Sequence, residues 1–332
     1  MGGDITAQVD PTAARVALWR ALHVLIDAAP HVVTDLVGLQ LLDPPQGWQQ
    51  RGDMHPIRSA RARASIVARA RLIEDEIDKA IEHGVRQIAI LGAGLDSTAQ
   101  RRTDLASHVE IFEIDAPRTQ AWKRERLLAL GVAEPDLPTM VPVDFERGEN
   151  WVSKVVQSGF RTDEPSIIVA AGLSMYLSES TNAQLLRDIS GFAPATRLVL
   201  TFALPRELID VIDRPGHAAA EKGAKASGHP WRSHFSPDDM AALIARCGLP
   251  RELIDVIDRP GHAAAEKGAK ASGHPWRSHF SPDDMAALIA RCGLRSVRFL
   301  LAADLGRLYF QGRADSLAPA TTEAVFIAQV PN

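Results

Sequence analysis

The sequence predicts an α/β fold: a doubly wound, mainly parallel seven-stranded sheet, with helices ahead of it and a duplicated helical insertion after the fifth strand. Three observations predict it. The apolar run Ile88–Leu91 stops abruptly at Gly92-Ala93-Gly94, as a strand buried on both faces does when it turns into a loop. A second apolar run, Val109–Ile114, ends at Asp115, 23 residues after Gly92. Around these two, short apolar runs alternate with helix-length segments, the pattern of crossover connections in a parallel sheet.

The elements follow in order. Pro11–Ala29 and Ile57–Ala80 read as helices, with Leu41–Asp53 (LLDPPQGWQQRGD) a loop between them. The Ile88 strand, a helix near Ser97–Arg102 and the Val109 strand come next, then a helix over Pro117–Leu130. Thr139–Pro142 is a short strand before Asp144-Phe145, Trp151–Ser158 a helix, Ile167–Ala171 a strand, Thr181–Ile189 a helix and Thr196–Ala203 a strand. Two last strands are expected at Ser296–Leu301 and Ala324–Val330. The chain divides into an N-terminal helical cap (1–84), a core (85–204), the insertion (205–294) and closing strands (295–332). In open sheets of this kind ligands bind beyond the C-terminal strand ends, and Gly92, Asp115, Asp144 and Ala171 all fall there.

The insertion is a perfect tandem repeat. Pro205–Leu249 recurs unchanged as Pro250–Leu294. Solenoid repeats need about three units and diverge, so two identical copies read as a duplication. Each unit is helical: Ser236-Pro237-Asp238-Asp239 is a helix start, with Ser as N-cap, Pro in the first turn and acids at the positive end. Met240, Leu243 and Ile244 form its apolar stripe. Arg206–Asp213 suggests a short helix and His217–Ala226 a longer one. Because the copies are identical, either can occupy one native position while the other loops out, at little closure entropy. Exchange of a copy between two chains, giving a homodimer, is the other outcome.

Bulk properties exclude several classes. The chain has 332 residues and a net charge of −4, with no electrostatic footprint for nucleic acid. No apolar stretch approaches the roughly 18 residues of a membrane span, and MGGDITAQVD does not read as a secretory signal, so a cytoplasmic protein is expected. Cys247 and Cys292 are one cysteine seen twice, which argues against a disulfide framework. Six histidines (His217, His229, His234 and their copies His262, His274, His279) are likewise three, and no tight His/Cys ligand cluster is visible, so no metal site is expected.

The glycine bend and Asp115 suit a nucleoside cofactor. Glycines let a ligand approach main-chain N–H groups, and a carboxylate at the next strand tip accepts from ribose hydroxyls. A dinucleotide site wants a third glycine, where this chain has Ser97 preceded by Asp96, and a carboxylate repels a pyrophosphate. S-adenosylmethionine (SAM) carries no phosphate and has an ammonium group, so it suits the acidic loop better; a nicotinamide cofactor is the alternative.

The chain resembles the leucine carboxyl methyltransferase family of class I SAM-dependent methyltransferases. The matching pieces are VARARLIEDEI (67–77), LGAGLDS (91–97), FEIDAP (112–117) followed by KRERL, VPVDF (141–145), AAGLSMYLS (170–178) and HPWRSHFSPDDMAALIARCGL in either copy. The resemblance implies a Rossmann-like fold and a SAM site: Arg69 for the methionine carboxylate, Gly92, Ala93 and Gly94 beneath the methionine, Asp115 for the ribose, and Asp144 with Phe145 for the adenine. Ala171 stands where the family has a Glu that helps hold the methionine; the alternatives are that Asp96 or a water makes good the loss, or that SAM binding weakens and methylation becomes inefficient. Tyr176, Trp231, Arg232 and the copies Trp276 and Arg277 are the expected acceptor-binding residues, in a segment that covers the pocket. A second copy of that segment is a departure from the family.

Methyl transfer from SAM needs alignment above all. A carboxylate acceptor is already ionised and needs no general base, whereas a hydroxyl does. The non-repeated sequence offers no convincing base pair and no catalytic residue is assigned, so O-methylation of a small-molecule carboxylate is the expectation. A hydroxyl acceptor and a non-catalytic SAM-binding module are the alternatives.

Overall fold

A computed structural model describes residues 10–247 and 298–330. Seven strands form one sheet: β1 (Gln87–Leu91), β2 (Glu110–Asp115), β3 (Thr139–Pro142), β4 (Ile167–Ala170), β5 (Arg197–Ala203), β6 (Arg298–Leu300) and β7 (Glu323–Gln329). Their order is β3-β2-β1-β4-β5-β7-β6. The first five are mutually parallel, and β7 runs antiparallel between β5 and β6. The order reverses between β1 and β4, so the crevice for a ligand opens at the C-terminal ends of those two strands.

Both faces of the sheet are covered. Ala89 and Leu91 of β1 point to one core with Phe112 and Ile114 of β2, while Ile88 and Ile90 point to the other. The first face carries α6 (Trp151–Gln157), α7 (Glu179–Ser190) and α9 (Pro237–Arg246). The second carries α3 (Ala60–Glu82) and α10 (Ala302–Tyr309), which buries Ala302 and Leu305. A third cluster joins α1 (Pro11–Ile26), α2 (Val37–Leu42) and α5 (Pro117–Ala129) around Trp48, Met54 and Trp122. The remaining helices are the single turn α4 (Thr98–Arg101) and α8 (Arg214–Ala226).

Local chemistry sets several boundaries as expected. Asp10 caps α1 by accepting from the N–H groups of Thr12 and Ala13. Ser236 and Asp239 form a reciprocal capping box at α9. Two expectations need correction. Leu41 and Leu42 end the helix α2 instead of opening a loop, and the stretch after them holds two 3₁₀ turns with Trp48 buried. Arg206–Asp213 gives only one 3₁₀ turn, since β-branched Ile209, Val211 and Ile212 disfavour a helix there. The last two strands form where expected, with the helix α10 between them, whose eight residues are too few for a clear period.

The first copy of the repeat follows β5 directly. Phe235 donates its N–H to the Ala203 carbonyl at the end of β5, and Met240, Leu243 and Ile244 enter the same core as Phe202 and Phe326. The second copy, with Trp276, Arg277, Cys292, His262, His274 and His279, lies outside the described residues.

Candidate functional site

The glycine bend and Asp115 are joined directly. Gly92 and Gly94 have φ of +65° and +51°, a region L side chains rarely adopt. A Cβ on Gly92 would lie 3.1 Å from Leu173 Cδ1, and one on Gly94 3.3 Å from Ala13 Cβ. The N–H groups of Gly92 and Ala93 both donate to the Ile114 carbonyl, which folds the bend onto the tip of β2. There Asp115 Oδ2 accepts from the Gly94 N–H and Oδ1 from the Ala116 N–H. A carboxylate has about four acceptor positions, so two remain for a ligand. Burial pushes the Asp115 carboxyl up, against the pull of those two N–H groups.

Two buried networks fix the bend from behind. Asp35 accepts from Arg20 Nε at 2.6 Å and from Ser97 Oγ at 2.6 Å, and Arg20 also donates to the Leu95 carbonyl. Burial works against the Asp35 charge, but Arg20, Ser97 and Arg101 outweigh it and hold the carboxyl below its usual range. Ser97, the residue at the third glycine position of a dinucleotide loop, is thus used structurally. On the other side Lys123 Nζ donates to the Asp96 carbonyl and to Glu113, both side chains being fully buried. Burial pushes the Glu113 carboxyl up to about 7 even beside Lys123.

Across the crevice Arg69 has neither a solvated side chain nor a local partner. Its Nη1 donates to both oxygens of Glu323, at 3.0 and 2.9 Å, and each side chain is 13% exposed. Glu323 also accepts from Thr201 Oγ1, which in turn accepts from the Gly172 N–H at 2.8 Å. A Cβ on Gly172 would lie 3.3 Å from Arg69 Nη2, so the pair sits against the chain just after Ala171. The carboxylate beside Arg69 is therefore Glu323. Asp96, the expected substitute, accepts from the Thr98 N–H through Oδ1. Sequence reading missed Glu323 because it is 254 residues from Arg69.

The adenine-side residues are placed at the end of β3. Asp144 Oδ1 accepts from the N–H groups of Glu146 and Arg147, so Asp144 caps a turn, and the N–H of Phe145 is not among those it takes. Phe145 is half-buried against the core. The first repeat copy, the segment expected to cover the pocket (the lid), crosses here: Glu146 meets His229 at 3.1 Å and Arg232 at 4.0 Å. Arg232 donates its N–H to the Met175 carbonyl, beside the half-buried Tyr176. Arg61 of α3 forks Asp213 at the start of α8, at 2.6 and 2.7 Å. The lid is thus pinned to β3, to the turn after β4 and to α3.

Within the lid, where no tight His/Cys cluster is expected, the structure brings two histidines and a carboxylate together. His217 and Glu221 on α8 and His234 after it each offer a ligand atom, all within 4.8 Å of one another. A count of His and Cys alone missed Glu221. Trp231 stacks edge-on against His217, their ring centroids 5.1 Å apart, so it lines this cluster.

Comparisons with known proteins give the chain its family. Over 172 residues the chain is 37% identical to a protein of Parafrankia sp., covering 51% of this chain and 53% of the relative. It is 27% identical over 251 residues to one of Mycobacterium tuberculosis, covering 73% and 77%. It is 32% identical over 200 residues to one of Mycolicibacterium paratuberculosis, covering 57% and 64%. All three are provisionally described as SAM-dependent methyltransferases. The chain spans about half the length of the first of these relatives and about three quarters of the second. The leucine carboxyl methyltransferase profile matches residues 13–190, more than half of the chain, from α1 through the glycine bend, Asp115 and Asp144 to α7. The chain belongs to the leucine carboxyl methyltransferase family.

Proposed function

We propose that the chain is a SAM-dependent O-methyltransferase acting on the carboxylate of a small molecule. The single observation that carries the reading is the glycine bend bonded to Asp115 opposite the Arg69–Glu323 pair. The residues present fit SAM. Its methionine end is a zwitterion, and Arg69 with Glu323 is a pair of opposite sign that offers a cation for the carboxylate and an acid for the ammonium. Asp115 keeps acceptor positions for the ribose hydroxyls, and Asp144 with the Phe145 N–H serves the adenine edge. When bound, SAM supplies an electrophilic methyl group on its sulfonium. The chain's own part is alignment and exclusion of water by the lid.

The lid supports an acidic acceptor. A cavity of about 280 Å³ beside the end of β5 is lined by Arg206, Arg214, His217, Glu221 and His234. Two guanidiniums there favour an anion, and a carboxylate needs no base. A hydroxyl acceptor is the second reading, favoured by one contact: His234 Nε2 stands 3.3 Å from Glu221 Oε1, a pair able to accept a proton. Turnover with methyl-labelled SAM on a panel of carboxylic acids and phenols separates them. Base-labile methyl esters of the acids are expected. Methyl ethers of the phenols, with the acids untouched, would establish the second reading instead.

A further inference from the structure

We propose that the lid carries a divalent metal site of the zinc class, ligated by His217, Glu221 and His234. His217 and Glu221 stand one helical turn apart on α8, on one face, and His234 comes in from the loop before α9. The three ligand atoms lie within 4.8 Å of one another. Two of them are 3.3 Å apart, which is the ligand–ligand edge of a tetrahedron with metal–ligand bonds of about 2.0 Å. His217 is 5% exposed, and its Nδ1 has no hydrogen-bond partner among the described residues. A buried imidazole nitrogen without a partner is costly, and a metal ion would satisfy the ring. Two imidazoles and one carboxylate leave a fourth position open, as in catalytic zinc sites. The three ligands line a cavity whose wall Arg206 and Arg214 share. These guanidiniums disfavour a bare cation and select one that carries an anionic fourth ligand, either hydroxide or a carboxylate.

The sequence supplies every ligand twice, as His262, Glu266 and His279. A test therefore changes both copies together. The full-length protein, freed of metal by chelator and dialysis, is titrated with Co²⁺, whose visible absorption reports low-coordinate nitrogen–oxygen sites, and Zn²⁺ is added to compete. The native chain is expected to show the Co²⁺ bands and lose them to Zn²⁺. The double variants His217→Ala with His262→Ala and Glu221→Gln with Glu266→Gln are each expected to bind Co²⁺ at least tenfold more weakly, since even outer partners of a metal ligand are worth about 10–100-fold. The Gln pair preserves shape, so it remains informative if the Ala pair folds poorly. Absence of the bands in the native chain, or equal Co²⁺ affinity in the Gln pair, would overturn the proposal. SAM affinity, measured on the same samples, reports on the methyltransferase reading separately: retained SAM binding without Co²⁺ binding removes the metal site alone.

Discussion

The two sides of the crevice are built differently. At the β1–β2 side, the groups that would face a cofactor are neighbours in a short stretch: Gly94 bonds Asp115, and Ile114 holds Gly92 and Ala93. At the β4–β5 side they come from far apart. Arg69 meets Glu323, which Thr201 also bonds, and the lid brings Asp213 to Arg61. The first side is specified by spacing and backbone bonds, the second by long-range charge pairing. Substitutions on the first should damage cofactor binding and the fold together. On the second, the partners are exchangeable, because what matters is the sum of charges at one place.

The largest effect is expected behind the bend. Lys123→Ala leaves Glu113 buried and unpaired, and breaking such a pair costs about 3–5 kcal/mol of stability, measurable by urea unfolding. The same pair gives a pH dependence. The Glu113 carboxyl sits at about 7 in the folded chain against an ordinary value of 4.5. Between those values the folded state holds the extra proton, so this group's contribution to stability falls as pH rises through the window. Glu113→Gln combined with Lys123→Met should flatten that slope.

Next comes Asp115→Ala. It removes the acceptor for ribose hydroxyls and frees the Gly94 N–H, so SAM affinity should fall by roughly 10- to 150-fold, the scale of a hydrogen bond to a charge, by calorimetry. Smaller, and more telling for the comparison, is Glu323→Gln. It leaves Arg69 without its counter-charge and should weaken SAM about tenfold, within the range for a charged hydrogen bond. Adding Ala171→Glu to it restores a carboxylate beside Arg69 and should recover most of the loss. A failure to recover would mean that Glu323 serves β7 and not the site. The smallest effect is Arg61→Ala. Asp213 is buried, but Arg61 is one-third exposed and Thr321 still bonds the carboxylate through its N–H and Oγ1, so the loss should cost only about 1 kcal/mol of stability, the low end for a buried acceptor deprived of one partner. It should instead raise the acceptor KM by loosening the lid, leaving SAM affinity unchanged.

The difference between the two sides also explains how far the sequence could be read. The sheet was legible because buried strands and crossover helices each leave a period, and the Gly92–Gly94 bend with Asp115 because their chemistry is local. The short helix α2 and the eight-residue α10 left no period to detect. Glu323 was invisible for a different reason: nothing near it signals a site, and only the antiparallel pairing of β7 with β5 brings it to Thr201 and Arg69. Glu221 was passed over because a search for His and Cys ligands leaves carboxylates out. The repeat misled less than its size suggests, since the first copy occupies the place directly after β5 and the core closes over it.

The most direct measurement is a calorimetric titration of the purified chain with SAM, its demethylated product and NADH. Saturable binding of the first two with one site per chain, lost in Asp115→Ala, and no heat from NADH is the predicted result. Saturable binding of NADH with no response to either sulfur compound would contradict the account at its root.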